Sequence, residues 1–145
     1  MEVPQVVVKN SGVIALKRVT DARDGILCIG ECCREIPFDV KRVYYVTNLE
    51  NNVSIRGKHA HRALQQIIFC IQGSFTLGLD DGSNHQEIRL ERGPIGIFLG
   101  PRLWHTMYDF TSDCAFMVVA SDYYNEMDYV RTYEEFMELV NKEGK

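Results

Sequence analysis

Along most of this chain the apolar residues alternate with polar ones or gather in runs of four to eight, which is the period of extended rather than helical backbone. Such stretches are VVVK, VIALKRV, GILCIGE, VKRVYYVTN, QQIIFCIQG, SFTLGLDDG, QEIRLERG, PIGIFLGP, LWHTMYDF and CAFMVVAS. Turn residues punctuate them, Gly73-Ser74 and Asp81-Gly82 being the strongest hairpin or loop signals. Short strands at this spacing predict a single all-β domain over residues 1–145, a sandwich or barrel, without linker or internal repeat. The pattern changes once, near the C-terminus. Thr132 and Glu135 form a capping-box pair, and Tyr133, Phe136, Met137 and Val140 recur at helical spacing, so a helix over about 132–142 is expected to pack on the strands.

Composition narrows the class. A chain of 145 residues can bury a core without staples, and a net charge of −4 supplies no global basic field to recruit nucleic acid or a membrane surface. MEVPQVVVKN has no basic start before a long apolar stretch, and no run approaches the roughly 18 apolar residues of a span, so a cytoplasmic protein is expected. Cys28, Cys32, Cys33, Cys70 and Cys114 are an odd number without zinc-like pairs, and read as reduced thiols that mostly pack. The N-terminal arm, about 1–12, would be an exposed β edge if unpaired, which favours a homodimer with exchanged N-terminal strands.

The candidate chemistry lies in RGKHAHRALQQ. An extended segment sends His59 and His61 to one face, so both imidazoles enter one cavity. Gln66 and Gly73 follow, and GPIGIFLGPRLWHTMYD brings His105 after a Pro/Gly-rich turn. This arrangement resembles the two motifs of the cupin superfamily and implies a small jelly-roll barrel with the histidines in its mouth. Two departures bear on metal binding: Gln66 stands at the carboxylate position, and the second motif is one residue short between Pro101 and His105. Three imidazoles can still hold iron, nickel, copper or zinc. Neutral Gln66 and the charges of Lys58 and Arg62 argue against a divalent cation, so no metal or other cofactor is expected. Histidines merely satisfied in a barrel core are the remaining alternative, an expensive arrangement to bury between cations.

VKRVYYVTN, RGKHAHRALQQ, LDDG, GPRLWH and ASDYYNEMDYVRTYEEF together resemble the dTDP-4-keto-6-deoxyglucose 3,4-ketoisomerases. The resemblance implies a metal-free cupin that moves a keto group from C4 to C3 of a dTDP-linked 4-keto-6-deoxy sugar, for bacterial surface polysaccharides. It implies His59 as the base at C3, with His61 a partner or second shuttle. Tyr45 would hold or protonate a sugar oxygen, leaving Tyr44 on the opposite face. His105 would deliver the proton to C4 from across the sugar, with a galacto product. Arg56, Lys58 and Arg62 are expected to meet the diphosphate, Arg56 and Arg102 the nucleotide, and Gln66 a sugar hydroxyl or a histidine. The EIRLER charges read as an exposed strand face. Other readings of the same pocket are a three-histidine metal enzyme and a non-catalytic nucleotide-sugar-binding cupin.

Overall fold

The computed structural model describes residues 3–50 and 53–143. Its strands are β1 (Ser11–Ala15), β2 (Lys17–Asp21), β3 (Gly25–Ile29), β4 (Arg42–Val46), β5 (Arg56–His61) and β6 (Gln66–Gln72). They continue as β7 (Ser74–Asp80), β8 (His85–Glu91), β9 (Ile95–Leu99), β10 (Trp104–Tyr108), β11 (Ala115–Ala120) and β12 (Tyr129–Val130). A 3-10 turn (Glu126–Asp128) precedes β12, and the α-helix α1 (Tyr133–Glu143) follows it. The strands form two antiparallel five-stranded sheets, β1-β9-β6-β11-β4 and β12-β5-β10-β7-β8, with β2-β3 as a separate hairpin.

Alternation builds the space between the sheets. Phe75, Leu77 and Leu79 on β7 and Ile88 and Leu90 on β8 turn inward, while Glu87, Arg89 and Glu91 face out, as the EIRLER pattern predicts. QQIIFCIQ is apolar on both faces for a different reason. Ile68 and Cys70 enter the core, while Ile67 and Phe69 meet Ile36 and Phe38 from the segment after β3. A strand covered on both sides needs no polar face. The cysteines are free; Cys70 and Cys114 are buried, and burial pushes the Cys70 thiol up to about 12, so it packs rather than reacts.

The C-terminal helix forms as its sequence predicts. The Thr132 hydroxyl accepts from the Glu135 amide at 3.2 Å, and Phe136 packs against Ala60 and Val130 behind β5. The N-terminal arm differs from expectation. Its first two residues lie outside the described part, and Val3–Val7 join no sheet. Instead the Gln86 amide clasps the arm, its oxygen accepting from Val7 N at 3.0 Å and its nitrogen donating to Gln5 O at 2.5 Å. VIALKRV likewise divides at Leu16, so that β1 pairs with β9 while β2 leaves with β3. No described helix is long and apolar enough to cross a membrane.

Candidate active site

The histidine strand enters the site through an irregularity. Gly57 and Lys58 both have positive φ, 82° and 56°, where the β5–β10 register shifts. A Cβ on Gly57 would stand 2.7 Å from the His105 carbonyl oxygen, so glycine is required there. Beyond the kink His59 pairs with His105 across the strands, and regular alternation brings His61 to the same wall. The ring centroids of His59 lie 4.9 Å from His61 and 4.8 Å from His105; those of His61 and His105 are 6.2 Å apart.

Hydrogen bonds fix which nitrogen is basic. Nδ1 of His59 is 3.0 Å from Gly57 O and Nδ1 of His105 is 3.3 Å from Leu103 O; a carbonyl only accepts, so each Nδ1 carries the proton. His61 Nδ1 donates to Asp128 Oδ2 at 3.0 Å. Every Nε2 therefore presents a lone pair, and that of His61 is buried with no partner among the described residues. One nitrogen from each ring lies within 4.8 Å of the others, and these three are the set that could hold a metal ion. Burial lowers all three pKa values. His61 falls to about 4 through desolvation and then the neighbouring His59, opposed by Asp128. His105 is held well down by burial, His59 and His61; His59 is lowered by burial, opposed by the Gly57 carbonyl. The three imidazoles are thus neutral at physiological pH.

Asp128 comes from the segment before α1. Its carboxylate accepts from the Ala63 and Leu64 amides at 2.8 and 3.2 Å, locking it behind His61. Tyr129, paired with His61 on β12, sets its ring 4.5 Å from His61 and 5.0 Å from His59. Arg131 stacks on Tyr129 at 4.2 Å and forms a fork with Glu126. From the other sheet comes Tyr44, whose phenolic oxygen accepts from Gln66 Nε2 at 3.2 Å. Burial raises its pKa, so the phenol keeps its proton. Arg42 lies two residues earlier on the same face, its guanidinium 5.7 Å from the Tyr44 ring and 5.8 Å from that of Tyr124, and its buried Nε has no partner among the described residues. With His61, Asn125, Asp128 and Tyr129, Arg42 lines a cleft beside the imidazoles.

The structure thus gathers His59, His61 and His105, holds Gln66 to Tyr44 in the other sheet, and corrects other expectations. Tyr45 points out of the barrel, 73% exposed; the strand face toward the second sheet belongs to Arg42, Tyr44 and Val46, so Tyr44 is the tyrosine at the site. Arg62 alternates away from His61 and its guanidinium lies 3.9 Å from Glu135 on α1, directed away from the cleft. His105 shares a wall with the HxH pair instead of standing across from it, because β10 is the direct neighbour of β5. Arg102 contributes its backbone, its N–H donating to His61 O at 2.8 Å, and makes no described side-chain contact with the histidines. Arg56 and Lys58 are exposed, Arg56 near enough to influence Tyr44. Sequence reasoning missed Asp128, Tyr129 and Arg42. Alternation with Tyr44 was the available signal for Arg42; nothing local marks Asp128, whose partner is 67 positions away.

Comparison with known proteins decides the lineage. The family model described as FdtA: WxcM-like, C-terminal, matches residues 9–141. The chain belongs to this family. A curated relative from Aneurinibacillus thermoaerophilus, TDP-4-oxo-6-deoxy-alpha-D-glucose-3,4-oxoisomerase, is 45% identical over 130 residues, covering 90% of this chain and 92% of its own. A histidine-to-asparagine mutant of the 3,4-ketoisomerase QdtA from Thermoanaerobacterium thermosaccharolyticum, in complex with TDP-4-keto-6-deoxyglucose, superposes with a TM-score of 0.90 at 35% identity, covering 94% of this chain and 97% of that one. A 3,4-ketoisomerase from Helicobacter canadensis gives 0.86 at 38% identity, covering 91% and 98%. Among WxcM-like chains the cupin-type barrel and the sugar-ketoisomerase class follow together.

Proposed function

We propose that this WxcM-like chain moves the keto group of dTDP-4-keto-6-deoxyglucose from C4 to C3 by metal-free acid/base catalysis on the imidazole wall. The observation that carries the chemistry is the His61–Asp128 pair beside an unpartnered Nε2. A carboxylate behind Nδ1 fixes the tautomer and stabilises the imidazolium that forms when Nε2 takes a proton. The His61 geometry therefore favours it over His59 for the base at C3, with His59 and His105 as its polar surround. Tyr44, neutral and held by Gln66, suits the sugar oxygens. Gln66 spends its amide on that phenol where other cupins place a carboxylate, which supports a reaction without metal.

The Aneurinibacillus relative is named for a TDP-linked 4-oxo-6-deoxyglucose and QdtA binds TDP-4-keto-6-deoxyglucose, and the cations at the cleft suit the same ligand class. Arg42 lies deep, beside His61 and Tyr44, where it offsets negative charge on an enediolate; Arg56 and Lys58 sit outside it, where a diphosphate would pass. We further propose a cytoplasmic homodimer that exchanges its N-terminal arms. Val19, Ile26 and Leu27 are exposed on the β2-β3 hairpin, and residues 3–7 of the arm pair with no strand of their own chain.

Incubation with the 4-keto sugar in deuterated water tests this reading. The wild type is expected to generate a 3-keto sugar, and Asp128→Asn to lower kcat with little change in KM. An unaltered sugar with the wild type, or an Asp128→Asn enzyme of normal kcat, contradicts it.

A further inference from the structure

We infer that Leu64 is the residue by which this enzyme selects a 6-deoxy sugar: its side chain receives the C5 methyl and offers no partner to a 6-hydroxyl. This selectivity rests on the proposed isomerisation and concerns which sugar enters the cleft.

Leu64 is buried in an unusual place. Among the described residues Leu77, Leu79, Leu90, Leu99 and Leu103 all belong to the apolar cluster between the sheets, whereas Leu64, only 6% exposed, joins none of the apolar clusters. It lines instead the cleft beside the imidazoles, a space of about 110 Å³, too small for a nucleotide. Ala63 and Leu64 are the aliphatic part of that lining, and every other side chain in it carries a polar group. The Leu64 amide donates to Asp128 Oδ2 at 3.2 Å, and the same oxygen accepts from His61 Nδ1 at 3.0 Å. One carboxylate oxygen thus fixes the leucine relative to the imidazole.

Two buried atoms say what lies against this leucine. Arg42 Nε and His61 Nε2 have no partner among the described residues, and both residues line the cleft. One is a donor and the other an acceptor. A keto sugar supplies the complement, with its carbonyl oxygen toward the guanidinium and the adjacent C–H toward the imidazole. C6 is two bonds from C4, so the methyl lies in the same small cleft. The Ser121 hydroxyl and the Asn125 amide oxygen there already accept from the Gln65 and Met127 amides at 3.0 and 3.1 Å. Leu64 gives the methyl an apolar contact. A hydroxyl in its place would lose water and gain nothing, and an apolar pocket rejects such an added hydroxyl by about 10²-fold.

Calorimetry with dTDP-6-deoxyglucose and dTDP-glucose reads this selection without turnover, and kcat/KM for the two corresponding 4-keto sugars reads it during the reaction. Wild type should prefer the 6-deoxy member of each pair by about 10²-fold. Leu64→Asn, close in shape but polar, should reduce the preference below about tenfold while TDP alone binds as tightly as before. Should the asparagine variant not fold, Leu64→Ala is expected to weaken the 6-deoxy ligand several-fold more than the 6-hydroxy one. A wild type that treats both sugars alike, or folded variants that keep the full preference, overturns the inference and leaves the isomerase reading intact; a leucine that merely anchors the β5–β6 connection would give the second result. Failure to convert either keto sugar overturns the isomerase reading, while the calorimetric ratio still decides the role of Leu64.

Discussion

Burial acts on His61 in two directions: desolvation makes its charged form expensive, and Asp128 recovers part of that cost. The balance leaves a base that is neutral down to about pH 4 in the free protein. His61→Asn should therefore lower kcat by about 10²–10⁴-fold, the range for a positioned general base, while TDP affinity, measured by calorimetry, stays near that of the wild type. Asp128→Asn should move the acid limb of the kcat/KM profile to lower pH, because the carboxylate is what raises the His61 pKa. The same depression makes a stability prediction. An unfolded histidine protonates near pH 6.5 and folded His61 only near 4, so between these values the unfolded chain binds more protons. Stability is complete above about pH 6.5 and falls as pH drops toward 4, which urea midpoints at pH 7 and pH 5 would register. At this scale the placement of the histidines was legible because an HxH repeat in a strand sends both rings to one face. Tyr44 was not: adjacent tyrosines say that one faces in, and only the packing of Arg42 and Val46 says which.

Strand β5 depends on its kink more than on its ladder. With φ at 82° and the His105 carbonyl at 2.7 Å from a hypothetical Cβ, Gly57→Ala combines backbone strain with a clash, and should cost on the order of 1–3 kcal/mol. Thermal denaturation would report the loss, and activity should fall further than stability because His59 follows the kink directly. Most strands could be read from alternation and turns, and α1 from its capping box and spacing. The short β12 could not, since two residues carry no period; it exists because Tyr129 and Val130 pair with His61 and Ala60. That pairing brings Asp128 to the site. The arm shows the converse: VVVK has strand composition, but a strand requires a partner strand, and within one chain Val6 and Val8 pack on the core while the Val7 and Lys9 amides meet the Gln86 and Asp81 side chains.

For the whole molecule, two sheets close around a core whose histidine-bearing edge opens to a cleft with Arg42 inside and Arg56 and Lys58 outside. The cations were visible in the sequence as a class, yet their division was not, because Arg62 turns to α1 while Arg42 enters from the opposite sheet. Arm exchange predicts a dimer by light scattering that becomes monomeric when residues 1–10 are removed; a monomer at full length contradicts it. The most direct measurement of all is time-resolved proton NMR of chelator-treated protein with dTDP-4-keto-6-deoxyglucose. Conversion to the 3-keto sugar at the rate of untreated enzyme is the predicted result. A sugar left unchanged, or converted only after a divalent metal is restored, would contradict catalysis by the imidazole wall.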